Sequence, residues 1–179
     1  MNVQEATTRR LPDLKERHLP ENCRETINTI LKETYGYEQF RNLEIYDDLS
    51  KGKEKLCISQ GQLIENVILE AEKAWKGETQ VDNILLTAPT GSGKSLLFQL
   101  PAIYLGKEYN LLTIVVSPLK ALIVDQVESL QELGYTRVAY ASSDLSPEQK
   151  MEVYRQVREG EIDLFYLSPE LLLSYDIKH

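Results

Sequence analysis

Residues 88–95 read Ala-Pro-Thr-Gly-Ser-Gly-Lys-Ser, a combination suited to holding phosphate. Gly91 and Gly93 admit positive φ, so successive backbone N–H groups can converge on phosphate oxygens with no Cβ in the way. Lys94 brings a point charge to the β- and γ-phosphates, and the Ser95 hydroxyl completes the shell of a Mg²⁺ ion bridging them. With Thr90 and Ser92 these residues make a nucleoside triphosphate site in which Lys94 is the catalytic cation and Ser95 the metal ligand. The full pattern G-x-x-x-x-G-K-[ST] asks for glycine at position 88, where this chain has Ala88.

Such a loop works only between a strand and a helix, and the flanks supply both. The apolar run Asn83–Thr87 precedes it and Leu96–Leu105 follows. Leu111–Val116, Arg137–Ala141 and Ile162–Leu167 are further short apolar runs, predicted as strands buried on both faces. Between them Leu119, Leu122, Ile123, Val127, Leu130 and Leu133 recur at helical steps up to Gly134, and Met151, Tyr154 and Val157 do so before Gly160. Strand alternating with helix predicts an α/β fold with a parallel sheet and right-handed crossovers. Ser117-Pro118, Ser146-Pro147 and Ser168-Pro169 each offer an N-cap serine and a first-turn proline, with Gln149 completing a capping box on Ser146. Ser117 and Ser168 follow strands directly, which assigns them to the carboxyl edge of the sheet, where open α/β folds bind ligands and where the phosphate loop is expected too.

A chain of 179 residues with net charge −8 suits one domain and disfavours indiscriminate adhesion to polyanions. No apolar stretch long enough to span a bilayer occurs, and the N-terminus lacks the apolar core of a signal peptide, so a cytosolic or nuclear protein without membrane contact is expected. Cys23 and Cys57 stand far apart without histidines at ligand spacing and are expected to be buried, unreactive thiols. Asn22–Tyr35 predicts a helix with Cys23, Ile27, Ile30 and Leu31 inward and Gly36 ending it. The head containing Arg9, Arg10, Lys15 and Arg17 is diluted by Glu5, Asp13 and Glu16, which favours a solvated extension. Gln62–Trp75 predicts an amphipathic helix with Leu63, Ile64, Val67, Ile68, Ala71 and Trp75 on one face, and Lys76–Asp82 a loop.

Segments 84–105, 113–134 and 164–174 together resemble the first RecA-like motor domain of superfamily 2 helicases, of the DEAD/DEAH-type group and most of all its RecQ-like branch. The resemblance implies a partial RecA-like P-loop domain over residues 55–179, preceded by a helical extension over 1–54, and it implies ATP and Mg²⁺ as cofactors. Ser117-Pro118-Leu119-Lys120 matches motif Ia and Ser168-Pro169-Glu170 motif Ib, which in relatives hold the sugar-phosphate backbone of a single strand, DNA in preference to RNA. A capped helix N-terminus has free N–H groups and a positive dipole end for such an anion. The family also reads adenine with a glutamine, for which Gln60 is the candidate and Gln62 the rival. Tyr37 and Phe40, in a segment resembling the family's aromatic-Arg element, are candidates to stack on the base.

Relatives supply a Walker B Asp-Glu pair after motif Ib, to hold Mg²⁺ and orient water, and a second motor domain with an arginine finger. Neither is found before His179, and Asp163, at the start of its strand, lies at the wrong edge. The chain is therefore expected to be the opening part of a longer helicase, binding nucleotide without efficient turnover. The alternative is a P-loop kinase or regulatory nucleotide switch, with Ser117 and Ser168 as caps only and Arg155 and Arg158 as lid cations.

Overall fold

Helix α1 (Glu21–Tyr35) forms where apolar side chains recur at three- and four-residue steps, and it buries Ile27, Ile30 and Leu31. Gly36, at φ 68°, ends it in the left-handed conformation that costs glycine nothing. The computed structural model describes residues 17–46, 55–86 and 91–173. They divide into two units: the described residues up to Lys32 with Tyr37–Pro101, and Glu33–Gly36 with the described residues from Ala102 onward.

In the first unit, β1 (Asn42–Tyr46) and β2 (Lys55–Ser59) pair antiparallel, from Asn42 opposite Ser59 to Tyr46 opposite Lys55. Helix α2 (Gln60–Trp75) follows at once, the Ser59 hydroxyl accepting from the Gly61 N–H at 3.2 Å. It begins two residues before the expected Gln62. Leu63, Ile64 and Ile68 are buried as anticipated, but Val67 and Ala71 are half-buried and Trp75 is exposed, while Asn66, Glu70 and Glu72 are buried.

Glu70 can be buried because three donors surround its carboxylate: Arg17 Nη2 at 2.6 Å, Lys73 Nζ at 3.1 Å and the Asp82 N–H at 2.9 Å. Burial alone would raise its pKa, but the Asp82 amide, Arg17 and Lys73 outweigh that and hold the carboxyl below its ordinary range. A depressed folded-state pKa contributes stability that is present above the unfolded value of about 4.3 and is lost as pH falls through the folded one. Glu70→Gln should therefore cost about 1–2 kcal/mol at pH 7. Urea melts at pH 7 and pH 3 check this: the gap to wild type should close at the lower pH.

Asn83–Leu86 departs from expectation. These residues carry no strand pairing among the described residues, and Leu85 is 89% exposed. An apolar run becomes a strand only when another backbone completes its ladder. Thr87 and the rest of the loop up to Thr90 lie outside the described residues, as do Arg9, Arg10 and Lys15.

The second unit takes up α3 (Leu96–Tyr109) from Ala102 onward and continues with β3 (Thr113–Val116), α4 (Lys120–Glu132), β4 (Val138–Ala141), α5 (Pro147–Arg158), β5 (Leu164–Leu167) and α6 (Pro169–Leu173). The three strands are parallel in the order β3-β5-β4, as the alternation of strand and helix predicts. Central β5 is buried along its whole length. β3 is not: its alternate residues Ile114 and Val116, which share one face, are exposed, correcting the expectation of a strand covered on both faces.

α4 buries Ile123, Val127 and Leu130, whereas Leu119, Leu122 and Leu133 are exposed. On α5 the capping box forms as read, Ser146 Oγ accepting from the Gln149 N–H at 3.2 Å and Gln149 Oε1 from the Ser146 N–H at 2.8 Å. Tyr154 and Val157 pack on Ala139, Ile162 and Phe165, while Met151 points to solvent. The cysteines also differ from expectation, Cys23 being half-buried and Cys57 exposed.

Asp163, at the amino end of β5 as anticipated, is buried beside the sheet. It takes both Arg137 Nε and Nη2 at 2.7 Å and the Tyr135 hydroxyl at 2.6 Å. Burial first, and then Asp163, push the Tyr135 phenol far above its ordinary range, so it stays a donor.

Candidate functional site

The phosphate-loop residues within the described part, Gly91 to Ser95, lie in the first unit. Gly91 and Gly93 take φ of 80° and 77°, the positive values read from the sequence. Lys94 is exposed and Ser95 half-buried. Their carbonyls accept from Leu97 at 3.0 Å and from Gln99 at 2.9 Å, so α3 grows directly out of the loop. Helix N–H groups at such a start have no intrahelical acceptor and suit an anion.

Gln60 is almost fully buried and faces this loop. Its Nε2 donates to the Ser92 carbonyl at 3.1 Å, its Oε1 accepts from the Arg41 N–H at 3.1 Å, and its own N–H donates to the Arg41 carbonyl at 2.9 Å. A Cβ on Gly93 would stand 2.6 Å from Gln60 Nε2, and one on Gly61 would stand 2.6 Å from the Phe40 ring. Both glycines thus permit contacts that alanine would forbid. The β1–β2 pairing is what brings Phe40-Arg41 against Gln60 across a long separation in sequence. Tyr37 is half exposed, and Gln62, two residues further along α2, is half-buried. The signal for this hairpin was available: Leu43 and Ile45 alternate with polar residues, as do Leu56 and Ile58.

In the second unit the parallel register sets Val116 opposite Leu167, and the Ser117 N–H donates to the Leu167 carbonyl at 3.1 Å. Ser117 and Ser168 therefore leave neighbouring strands at the same carboxyl edge. Ser117 does not cap α4. The N-cap is Leu119, in extended conformation, and Ser117 Oγ instead accepts from the Leu119 N–H at 3.4 Å, bending the chain at Pro118 before the helix begins at Lys120. Ser168 is buried, Pro169 half-buried and Glu170 exposed.

Lys120, at the start of α4, pairs with the turn that follows β4. Its Nζ bonds Asp144 Oδ1 at 2.9 Å and the Ser143 hydroxyl, both from the turn after β4. The Asp144 carboxyl is held below its ordinary range by the Lys120 hydrogen bond first and by Ser143 second. Glu170, after β5, is lowered chiefly by the Ser168 hydroxyl, with the Lys120 charge contributing. Asp144 is the residue sequence reasoning missed, since its partner lies 24 positions away. Lys120 is thus engaged by an exposed carboxylate and does not stand as a bare cation.

The loop residues fit a bound triphosphate with Mg²⁺: two positive-φ glycines, an exposed lysine, a serine at the helix start, and nothing within 4 Å of where a Cβ on Gly91 would stand. Among the described residues no helix is long and apolar enough to cross a membrane.

Comparison with known proteins identifies the family. The family model described as DEAD/DEAH box helicase matches residues 60–179. The ATP-dependent DNA helicase RecQ of Synechocystis is 34% identical over 151 residues, covering 84% of this chain and 25% of that protein. The ATP-dependent DNA helicase Q-like 5 of Arabidopsis thaliana is 32% identical over 152 residues, covering 85% and 13%. RecQ of Bacillus subtilis is 32% identical over 148 residues, covering 83% and 20%. The chain thus spans a quarter or less of the length of these relatives.

Proposed function

The chain belongs to the DEAD/DEAH box helicase family, and from that premise we propose that it is the nucleotide-binding part of an ATP-dependent DNA helicase motor. The observation that carries this is the Gly91–Ser95 turn, with glycines at positive φ and Gln60 bonded behind it. Lys94 would meet the β- and γ-phosphates, and Ser95 would hold Mg²⁺, which when bound neutralises phosphate charge. Gln60 would fix the loop and face the adenine edge, with Phe40 beside it, and Thr90 would complete the cradle.

Ser117, Pro118, Leu119 and Lys120, with Ser168, Pro169 and Glu170, would grip the backbone of a single DNA strand at the carboxyl edge. Such contacts position a strand without reading its bases. Opening of duplex DNA then depends on ATP-driven closure against a second motor domain in the whole protein.

Anisotropy titration with a labelled single-stranded DNA oligonucleotide tests the strand assignment. Lys120→Ala should weaken binding several-fold and lower the slope of log affinity against log salt by roughly 0.7, the share of one phosphate contact. Ser117→Ala should weaken it by a smaller factor. Asp144→Asn, which removes the competing carboxylate, should tighten it. Unchanged affinity in all three variants would refute the strand-binding role while leaving the nucleotide site standing.

A further inference from the structure

β4 lies at the margin of its sheet and pairs only with β5 among the described residues. The register sets Val138 opposite Leu164, and the Arg137 carbonyl accepts from the Leu164 N–H at 3.3 Å as well as from the Asp163 N–H at 2.9 Å, so Leu164 is the residue that bonds toward β4. In a parallel pair, the residue opposite the bonded one turns its own N–H and C=O the other way. Val138 and Tyr140 therefore direct theirs along the outer edge, where a further strand can pair.

This edge floors a groove of about 1010 Å³, walled by Glu128 and Gln131 of α4 and by Glu148, Glu152 and Gln156 of α5. Val127, Val138 and Val153 give it an apolar base. The walls are acidic. Glu128, Glu148, Glu152 and Glu161 line the groove against one cation, Arg137, and that guanidinium is committed to Asp163 at 2.7 Å. Arg155 engages Glu152 and Glu161, whereas Glu128 and Glu148 make no ion pair among the described residues.

We propose that this groove receives an extended, lysine- or arginine-rich segment of a partner protein, added to the sheet beside β4. Main-chain pairing with Val138 and Tyr140 would supply affinity, and alternate side chains of the segment would reach the glutamates on the walls. A nucleic acid is disfavoured because its phosphates carry the same sign as the walls. A second copy of this chain, with net charge −8, brings the same acidic surface to the contact and is repelled.

The test uses the full chain and a labelled peptide of about ten residues, alternating Lys and Val, long enough to cover one strand. Saturable one-to-one binding is expected. Glu128→Gln combined with Glu148→Gln, both exposed positions, should weaken it about tenfold with an unchanged circular dichroism melt. Two N-methylated peptides, each blocking one alternate set of backbone amides, should differ: one set abolishes binding and the other is tolerated, because only one edge of the added strand faces β4.

Equal effects of the two methylated sets would reduce the interaction to charge adhesion and overturn the proposal. So would binding indifferent to the double glutamate variant, an equally tight Glu/Val peptide, or self-association of the chain through this face. None of these outcomes depends on the nucleotide site.

Discussion

If Lys94 meets the phosphates as proposed, Lys94→Ala should lower the affinity of the chain for Mg-ATP roughly 30- to 150-fold, equivalent to about 2–3 kcal/mol for the loss of a charged hydrogen-bonding partner. Thermal unfolding should change little, because Lys94 is exposed at the start of α3 and its side chain fills no core space. Titration with a fluorescent ATP analogue in the presence of Mg²⁺ measures this. A variant that binds within twofold of wild type would remove the phosphate-cradle assignment. Gly93→Ala makes a useful contrast. Its φ of 77° and the 2.6 Å approach of a Cβ to Gln60 Nε2 should disturb nucleotide binding and the loop's own geometry together.

Gly106→Ala should destabilise the chain by about 3 kcal/mol, even though it replaces glycine by the best helix former inside α3. Propensity alone would favour alanine by up to about 1 kcal/mol. The added Cβ, however, would stand 2.3 Å from Asp163 Cγ and 2.5 Å from Asp163 Cβ. That side chain cannot step aside: Arg137 holds both its oxygens and Tyr135 holds one of them, in a site 3% exposed. Overpacking against a fixed group is therefore the larger effect. At roughly 2–4 °C per kcal/mol for a chain of this size, the melting temperature should fall by about 6–12 °C. In an Asp163→Ala background the same substitution should cost much less, since the obstacle is gone. A calorimetric melt of Gly106→Ala coinciding with wild type would refute the packing account.

What the sequence disclosed and what it hid divide along a physical line. The positive φ of Gly91 and Gly93, the Ser146–Gln149 capping box and the Gly36 stop are written in local chemistry, because glycine φ, side-chain reach and N-cap geometry act over a few residues. Central β5 was legible because a strand buried on both faces needs an unbroken apolar run.

Edge strands carry a weaker signature. Nothing in Thr113–Val116 says that one side has no neighbour among the described residues, and nothing in Asn83–Leu86 says whether a ladder partner is at hand. Long-range polar pairs were hidden for the same reason. The Lys120–Asp144 pair and the Arg137–Tyr135–Asp163 cluster exist only once the strands are aligned, and the burial of Glu70 follows from donors supplied by Arg17 and Asp82. The displaced start of α4 was a competition between two local options, a proline that favours the first turn and a serine that bonds two residues ahead to bend the chain.

The pairing at the base of the β1–β2 hairpin has a practical consequence. Gln60 and Arg41 exchange two hydrogen bonds where the strands meet, so their separation does not depend on how much polypeptide lies beyond that junction. A change in length beyond that junction need not disturb the contact of Gln60 with the Ser92 carbonyl.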